Sequence, residues 1–412
     1  MTTNAAQSKT FLPLRTALGR LFDRLSSVDT ERIRLDAACG RVLAEDVHAD
    51  RPSPPVDVSA MDGIAVRAAD LAALQETGLP IDGEAAIGEQ VPELAPGHAM
   101  WIFTGGPVPR GADLVDQREW LIEAATTVRL RADVDPGKLR LGLHIRSAGE
   151  NVRRGDAVAS PGQIITPTMI AALASVGCTH LQVQRRVRVS MIVTGDELVE
   201  AACIPSTTGL RDSNGPSIVA MLDARPWIDV VHTQRIRDNF DAIVEAIAHA
   251  MECADCVLTT GGVSIGDHDH VPGAVATLGG ETIFHRLAIK PGKPLFAAAI
   301  PGGRTVIGLP GNGVSALVTA RRIALPALAK LAGVPVQAVE ANARVTMCEP
   351  NARPIDLTHF RLVDRTAAAT ASFTQNKGSG DVFAAAKSDG FVEIPPGCST
   401  SGPFDFYAWG GQ

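Results

Sequence analysis

The stretch that decides the fold class is Val187–Glu197, which reads VRVSMIVTGDE. Its apolar residues first alternate with polar ones and then run together, a pattern that predicts a buried strand. The strand runs directly into the sequence Gly-Asp-Glu at positions 195–197. Apolar runs are likewise followed by glycine loops in Val257–Gly262 and Thr305–Gly313. The sequence therefore predicts three strands that each end in a glycine-containing loop.

Helical patterns lie between and after these strands. Asn239 is expected to cap a helix that begins at Phe240, because its side chain suits the first turn. Val314–Leu331 reads as one long helix with Pro326 inside it. Strands that alternate with helices predict a parallel, doubly wound α/β sheet. The regions before and after it alternate short apolar runs with Gly and Pro breaks, which indicates β-rich flanks.

Composition limits the classes of function. The chain has 412 residues, 45% hydrophobic and 20% charged, and a length of this kind predicts roughly two to four folded domains. The formal net charge of −7 argues against a nucleic acid partner, which would need a basic face. Without a secretory signal or a bilayer-length apolar run, we expect a cytoplasmic protein with no membrane partner. The seven scattered cysteines indicate reduced thiols, and Cys253 and Cys256 are expected to be structural.

The glycine loops suggest an anion site. In an open α/β sheet, ligands bind beyond the carboxyl ends of the strands. Glycines there let backbone amides approach a phosphate closely. Lys290–Pro294, which reads KPGKP, adds two ammonium groups. One such loop alone is more often a plain connection, but three on one sheet favour a site for a nucleotide or pterin phosphate.

Four carboxylates are candidates for the chemistry: Asp62, Glu197, Asp238 and Asp269. Two have simpler alternatives, because Asp62 could support the turn at Gly63 and Asp238 could cap the following helix. Within His268–His270 we expect Asp269 alone to be functional, since the two histidines lack a third metal ligand. Carboxylates beside a phosphate repel it unless a divalent metal lies between them, which predicts Mg²⁺.

These features together resemble the MoeA family and the related E domains of gephyrin-type proteins, over nearly the whole chain. The resemblance rests on an ordered set of motifs: SAMDG at 59–63, FTGGPVP at 103–109, NVRRGD at 151–156, TGDEL at 194–198, DSN at 212–214, TGGVSIG at 260–266, AIKPGKP at 288–294 and GLPGNGVSA at 308–316.

The resemblance implies a multidomain α/β plus β protein, in which a MogA-like doubly wound α/β domain is flanked by β-rich domains and a small C-terminal β domain. The expected boundaries are 1–50 with 146–184 for a discontinuous N-terminal helical and hinge domain, 51–145 for the β-rich domain bearing SAMDG, 185–333 for the α/β domain, and 334–412 for the C-terminal domain. It further implies a homodimer whose active site joins the α/β domain of one subunit to the SAMDG domain of the other.

The implied reaction inserts molybdate into adenylylated molybdopterin with release of AMP, assisted by Mg²⁺. Other proteins of molybdenum cofactor biosynthesis are implied as partners. The implied catalytic residues are Asp62, Glu197, Asp238 and Asp269, of which Glu197 and Asp269 are also the candidate metal ligands. The implied substrate-binding residues are Thr104, Asp156, Gly261, Gly262, Ser264, Lys290, Lys293, Pro310, Asn312 and Ser379.

The sequence departs from the family pattern at three places. Ile64 stands where an aromatic residue is usual, Gly313 replaces a proline, and Asp116 lies where the family has an apolar-rich segment. Two other functions stay open at this point: a non-catalytic molybdopterin-binding scaffold, and a MogA-type molybdopterin adenylyltransferase.

Overall fold

The computed structural model describes residues 11–264, 266, 269–341 and 343–410. It divides into two compact units. The larger unit comprises Met1–Glu45, Ser160–Ile170 and Thr179–Gln412, and the smaller comprises Asp46–Ala159 and Ala171–Cys178. The four predicted domain boundaries are not tested by this division and stay predictions.

A six-stranded sheet forms the centre of the larger unit. Its strands are β1 (Val187–Thr194), β2 (Ile228–Ile236), β3 (Cys256–Thr260), β4 (Glu281–His285), β5 (Phe296–Ile300) and β6 (Arg304–Leu309). They lie in the order β2-β1-β3-β6-β5-β4. The pairings among β2, β1, β3 and β6 are parallel, whereas β5 is antiparallel to both of its neighbours.

The prediction of a purely parallel sheet is therefore wrong at one edge. The cause is the turn between β5 and β6, which is built on Gly302 and Gly303, both with positive φ. Parallel neighbours need a crossover of a dozen or more residues, and this turn is too short to supply one. The chain must reverse, so β5 runs against β6.

Helices cover both faces of this sheet. They are α1 (Asn214–Asp223), α2 (Phe240–Cys253), α3 (Val271–Thr277), α4 (Gly313–Thr319) and α5 (Leu325–Leu331). Met191, Leu258 and Ile307 belong to the core on one face, which includes residues of α1, α4 and α5. Ile192 and Val257 belong to the core on the other, with residues of α2 and α3. The doubly wound arrangement is confirmed.

The long helix predicted over Val314–Leu331 is broken into two. One turn of π-helix, Ala320–Ala324, separates α4 from α5. Proline has no N–H to donate, and its ring collides with the carbonyl group four residues earlier. A wider turn just before Pro326 relieves this conflict, as π-turns inside helices do.

The rest of the larger unit is mostly β. The helix Leu14–Phe22 precedes a three-stranded sheet of Thr30–Arg34, His180–Gln184 and Val42–Leu43, and Leu198–Val199 pairs with Leu210–Arg211. A second six-stranded sheet contains, in spatial order, Ile289–Lys290, Thr358–Ala367, Thr370–Phe373, Ala343–Met347, Phe404–Ala408 and Gly390–Ile394. The short helix α6, Val382–Lys387, lies between two strands of this sheet in the chain.

The smaller unit is built on another six-stranded sheet. In spatial order its strands are Leu114–Gln117, Gly63–Val66, Ala99–Ile102, Leu79–Ala85, Thr127–Leu130 and Leu121–Glu123, and the helix Leu71–Glu76 lies before Leu79–Ala85 in the chain. Two short pairs complete it: Val58–Ser59 with Ile145–Arg146, and Val47–His48 with Ala157–Ala159. The helix Pro167–Ser175 contributes residues to both units. Among the described residues, no helix is long and apolar enough to cross a membrane.

Candidate functional site

A cavity of about 910 Å³ opens at the carboxyl ends of β1, β3 and β6. Its walls include three of the predicted carboxylates, and we call it the acidic cavity. The predicted site residues that line it are Glu197, Asp238, Gly261, Gly262, Ser264, Asp269, Pro310 and Asn312. The structure thus brings together residues that lie far apart in the chain. Their individual roles stay predictions.

Glycine is required at the floor of the acidic cavity. Gly261 has a φ of +86°, and its N–H donates to the Leu309 carbonyl oxygen at 3.1 Å. A Cβ at this position would lie 2.7 Å from Thr194 Oγ1 and 2.8 Å from Thr194 O. Any side chain would therefore collide with the end of β1. The result is bare backbone facing the cavity, as a closely approaching phosphate needs.

The three carboxylates of the acidic cavity differ in their exposure and in the hydrogen bonds that they already accept. Glu197 is exposed. Asp269 Oδ2 accepts from the Gly266 N–H at 2.5 Å, so its own loop already uses that oxygen. Asp238 Oδ1 is buried and has no hydrogen-bond partner among the described residues. Buried polar atoms are nearly always paired, so Asp238 is the group that most clearly lacks a ligand.

The alternative role of Asp238 as a helix cap is wrong. Asn239 caps α2, because its side chain accepts from the Ala242 N–H at 3.1 Å. Asp238 is held beside the cavity instead, where its own N–H donates to Asp196 Oδ1 at 3.3 Å. Its carboxylate is therefore available to something other than the helix.

A second cavity of about 1010 Å³ lies beside the KPGKP loop, and we call it the basic cavity. The predicted residues Lys290, Lys293 and Ser379 line it, and Asn312 and Pro294 line both cavities. The Lys293 ammonium also lies 3.8 Å from the centre of the Phe11 ring, a cation–π distance. Ser379 additionally accepts the Val314 N–H through its carbonyl oxygen, at 2.9 Å.

The basic cavity contains three residues that sequence reasoning missed: Arg353, His359 and Arg361. His359 Nδ1 is buried without a partner among the described residues, and burial lowers the pKa of its ring to about 4. Burial also lowers the pKa of Arg361. His359 and Arg361 are single basic residues in a strand, and Arg353 lies in the chain before it, so no motif marks them and only the fold reveals that they join the lysines.

In the smaller unit, Asp62 is bound to Thr104. Asp62 Oδ1 accepts from both the backbone N–H and the hydroxyl of Thr104, each at 2.8 Å. These hydrogen bonds, with the charge of Arg118, hold the pKa of Asp62 below its usual value. The side chain is exposed and ionised, and it joins two loops rather than simply supporting Gly63. Asp156 lies in the same unit, where its Oδ2 accepts from the Arg153 N–H at 2.8 Å and closes a turn.

Each departure from the family pattern has a distinct environment. Ile64 is fully buried in the core of the smaller unit. Asp116 is 0% exposed, and both carboxyl oxygens lack partners among the described residues. Burial raises its pKa to about 7. Gly313 lies against Val382, whose Cγ1 atom would overlap any Cβ at position 313.

The acidic cavity is compatible with a magnesium ion that shares a substrate phosphate. Among the described residues, no cluster of three or more His, Cys, Asp or Glu side chains is arranged to hold a metal. Mg²⁺ needs fewer protein ligands, since it is usually held by one or two carboxylates, water and substrate phosphates. The unpartnered Asp238 Oδ1, in a cavity that Glu197 and Asp269 also line, fits that requirement. His268 lies outside the described residues.

Two family models match the chain. Residues 12–177 match the MoeA N-terminal region (domain I and II), and residues 190–330 match a probable molybdopterin binding domain. The predicted fold class, a MogA-like α/β domain with β-rich flanks, is confirmed by these matches and by similarity to a solved structure.

Curated relatives and a solved structure agree with this assignment. A Haemophilus influenzae molybdopterin molybdenumtransferase is 34% identical over 78% of this chain and 78% of that protein. The protein of the same name from Synechococcus elongatus is 35% identical over 72% of this chain and 74% of its own length. A molybdopterin biosynthesis MoeA protein from Pyrococcus horikoshii has a TM-score of 0.80 at 26% identity, covering 96% of this chain and 99% of that one.

Proposed function

The chain belongs to the MoeA family of molybdopterin molybdenumtransferases, enzymes of molybdenum cofactor biosynthesis, and we propose that it inserts molybdate into adenylylated molybdopterin with release of AMP. The observation that carries this proposal is the pair of adjoining cavities. One has bare glycine backbone and carboxylates, the other has lysines and arginines, and Asn312 lines both. A reaction between a phosphate-linked substrate and an oxyanion needs two such sites side by side.

The basic cavity is proposed to hold the negatively charged oxygens of molybdate or of a substrate phosphate. Molybdate carries two negative charges, and Lys290, Lys293, Arg353 and Arg361 offer four positive ones. His359 is neutral near pH 7 because its pKa is about 4, so it contributes a hydrogen bond rather than charge. Ser379 adds a hydroxyl to the same wall.

The acidic cavity is proposed to hold the phosphoanhydride of the adenylylated substrate. Gly261 and Gly262, in the loop after β3, would let phosphate oxygens approach the backbone closely, and Glu197, Asp238 and Asp269 would hold the magnesium ion. When bound, Mg²⁺ would offset phosphate charge and polarise the phosphoanhydride. Attack of water on the phosphoanhydride would break its P–O bond, release AMP and leave the other phosphate on molybdopterin. This release would drive insertion of molybdate into the pterin dithiolene.

Magnesium binding can be tested apart from turnover. Asp238→Asn keeps the shape of the side chain but removes the charge, so Mg²⁺ affinity measured by calorimetry in the presence of AMP should fall at least tenfold. Asp212→Asn serves as a comparison. Asp212 already accepts the Gly215 N–H at 2.9 Å, so we expect a smaller loss of Mg²⁺ affinity than in Asp238→Asn. Equal Mg²⁺ affinity in wild type and Asp238→Asn would remove Asp238 from the metal site.

We also propose that the protein works as a homodimer, in which Asp62 and Thr104 of one subunit act with the acidic cavity of the other. Mixing inactive Asp62→Asn with inactive Glu197→Gln protein tests this, because mixed dimers would regain one intact site. Activity that never recovers on mixing, although subunits exchange, would contradict it. Light scattering on dilution measures the dimer itself.

The decisive assay incubates the purified protein with adenylylated molybdopterin, molybdate and Mg²⁺, and then measures AMP and active molybdenum cofactor. Both should appear only when all components are present. Consumption of ATP with free molybdopterin would instead indicate an adenylyltransferase, and binding without AMP release would indicate a scaffold. Neither alternative is favoured, because the curated relatives that match most of the chain are molybdenumtransferases.

A further inference from the structure

An aromatic side chain stands uncovered at the rim of the acidic cavity. Phe383, the second residue of α6, lines this cavity and is 78% exposed. Leu210 lines the same cavity and is 58% exposed. Large apolar side chains are normally buried in the core. Two of them that face water next to a polar cavity indicate a binding surface.

The helix that carries Phe383 is fixed at both ends. Asp381 caps it, accepting from the N–H groups of Ala384 at 3.1 Å and of Lys377 at 2.9 Å. At its other end Trp409 Nε1 donates to Ser388 Oγ at 2.9 Å. The exposure of Phe383 is therefore not the result of a loose helix.

Gly313 brings this helix to the cavity floor. Val382 packs against Gly313 so closely that any side chain at 313 would overlap its Cγ1 atom. The neighbouring Val314 N–H donates to the Ser379 carbonyl oxygen at 2.9 Å, which ties the chain before α6 to the start of α4. Because position 313 carries no side chain, Val382 fits here, and Phe383, the next residue, lines the cavity.

The wall of the cavity therefore combines two kinds of surface. Glycine backbone, Glu197 and Asp238 are polar, and Leu210 and Phe383 are apolar and exposed. A ligand that suits both must have phosphate or metal-bound oxygens and a flat apolar ring. Resting on the proposed function, we propose that Phe383 stacks on the fused heteroaromatic ring of the substrate, either its adenine base or its pterin.

Substitutions at position 383 can distinguish stacking on an aromatic ring from simple apolar contact. Leucine at 383 retains apolar surface but loses the π face, whereas tryptophan keeps the face. Ile204→Ala is the matched control, because Ile204 is 91% exposed in the chain next to Pro205 but does not itself line the cavity.

The test measures equilibrium binding of AMP and, separately, of pterin-6-carboxylate to the full-length protein. Phe383→Leu should weaken at least one of them about tenfold, the effect of losing one stacked base. Phe383→Trp and Ile204→Ala should stay within threefold of wild type. Weaker AMP binding assigns the adenine to Phe383, and weaker pterin binding assigns the pterin.

Two results would overturn the inference: wild-type protein that binds neither ring, or Phe383→Leu that binds both within twofold of wild type. Failure of the proposed reaction would give a different set of results. Protein that releases no AMP from adenylylated molybdopterin, yet loses ring binding in Phe383→Leu, would refute the reaction and leave the stacking role intact. If the basic cavity holds molybdate, the molybdate KM should be unchanged in Phe383→Leu.

Discussion

Gly313→Ala is the substitution whose cost follows most directly from the structure. The new Cβ would lie closer than 3.0 Å to Val382 Cγ1, a separation that real Cβ atoms essentially never show, whereas Val382 Cβ would be 3.8 Å away in ordinary contact. One methyl group must therefore move. Rotating it off its preferred rotamer or shifting α6 costs about 1–2 kcal/mol, the usual range for a modest overpacking.

A double-mutant cycle separates this collision from other effects of alanine. Val382→Ala alone should reduce the free energy of unfolding by about 1 kcal/mol, because it removes apolar contact. In that background Gly313→Ala should cost less than about 0.5 kcal/mol, since the colliding methyl is absent. Urea denaturation of the four proteins, followed by circular dichroism, measures both steps.

The refuting results are specific. A Gly313→Ala protein as stable as wild type would show that Val382 yields freely, and an equal loss in both backgrounds would show that the collision is not the cause. The cycle also bears on Phe383, because displacement of α6 should weaken ring binding in Gly313→Ala and restore it in the double mutant. Ring binding that stays intact in the single mutant would mean that α6 does not move.

Three further predictions concern charge. Asp62→Asn retains the oxygen that accepts from Thr104 but loses the negative charge. The rate of AMP release should therefore fall roughly a hundredfold while the protein stays folded. Turnover within about threefold of wild type would show that the Asp62 carboxylate only links two loops. The raised pKa of Asp116, about 7, means that the folded state binds its proton more tightly than the unfolded state, so stability is complete below about pH 4 and is lost as pH rises through 7. The free energy of unfolding should fall by about 2 kcal/mol between pH 5 and 7 in wild type but not in Asp116→Asn, and equal pH slopes in urea titrations would contradict this. Arg361→Gln should raise the molybdate KM at least tenfold with little change in AMP affinity, whereas a selective loss of AMP binding would assign the basic cavity to the nucleotide.

The parts of the fold that were predictable are those in which local patterns decide the structure. The alternation in Val187–Thr194, the cap at Asn239 and the glycine loops after β3 and β6 each act within a few residues. The reversal of β5 was not visible, because an apolar run has the same appearance in either direction. Only the short turn at Gly302 and Gly303 decides it.

The residues of the candidate site were likewise predictable only where local sequence patterns mark them. Glu197 follows β1 closely and Asp269 lies in the loop after β3, so both could be assigned to one edge of the sheet, and the structure places them there. The partner of Asp62 lies 42 residues further along the chain, so a turn role within SAMDG was an equally good interpretation of the sequence. Arg353, His359 and Arg361 join the lysines because the strand Ile289–Lys290, at the start of the KPGKP loop, pairs with the distant strand Thr358–Ala367.

Asn312 and Pro294 line both cavities, so a ligand that moves either residue would link binding in the two sites thermodynamically. An anion that moves the exposed Asn312 side chain from the basic side alters the wall that a nucleotide meets on the other. Such coupling is reciprocal, so the factor by which molybdate changes AMP affinity must equal the factor by which AMP changes molybdate affinity. The two dissociation constants, each measured with and without the other ligand, would report this coupling between molybdate and AMP. If each ligand tightens the other, the coupling would favour occupancy of both sites before the reaction begins.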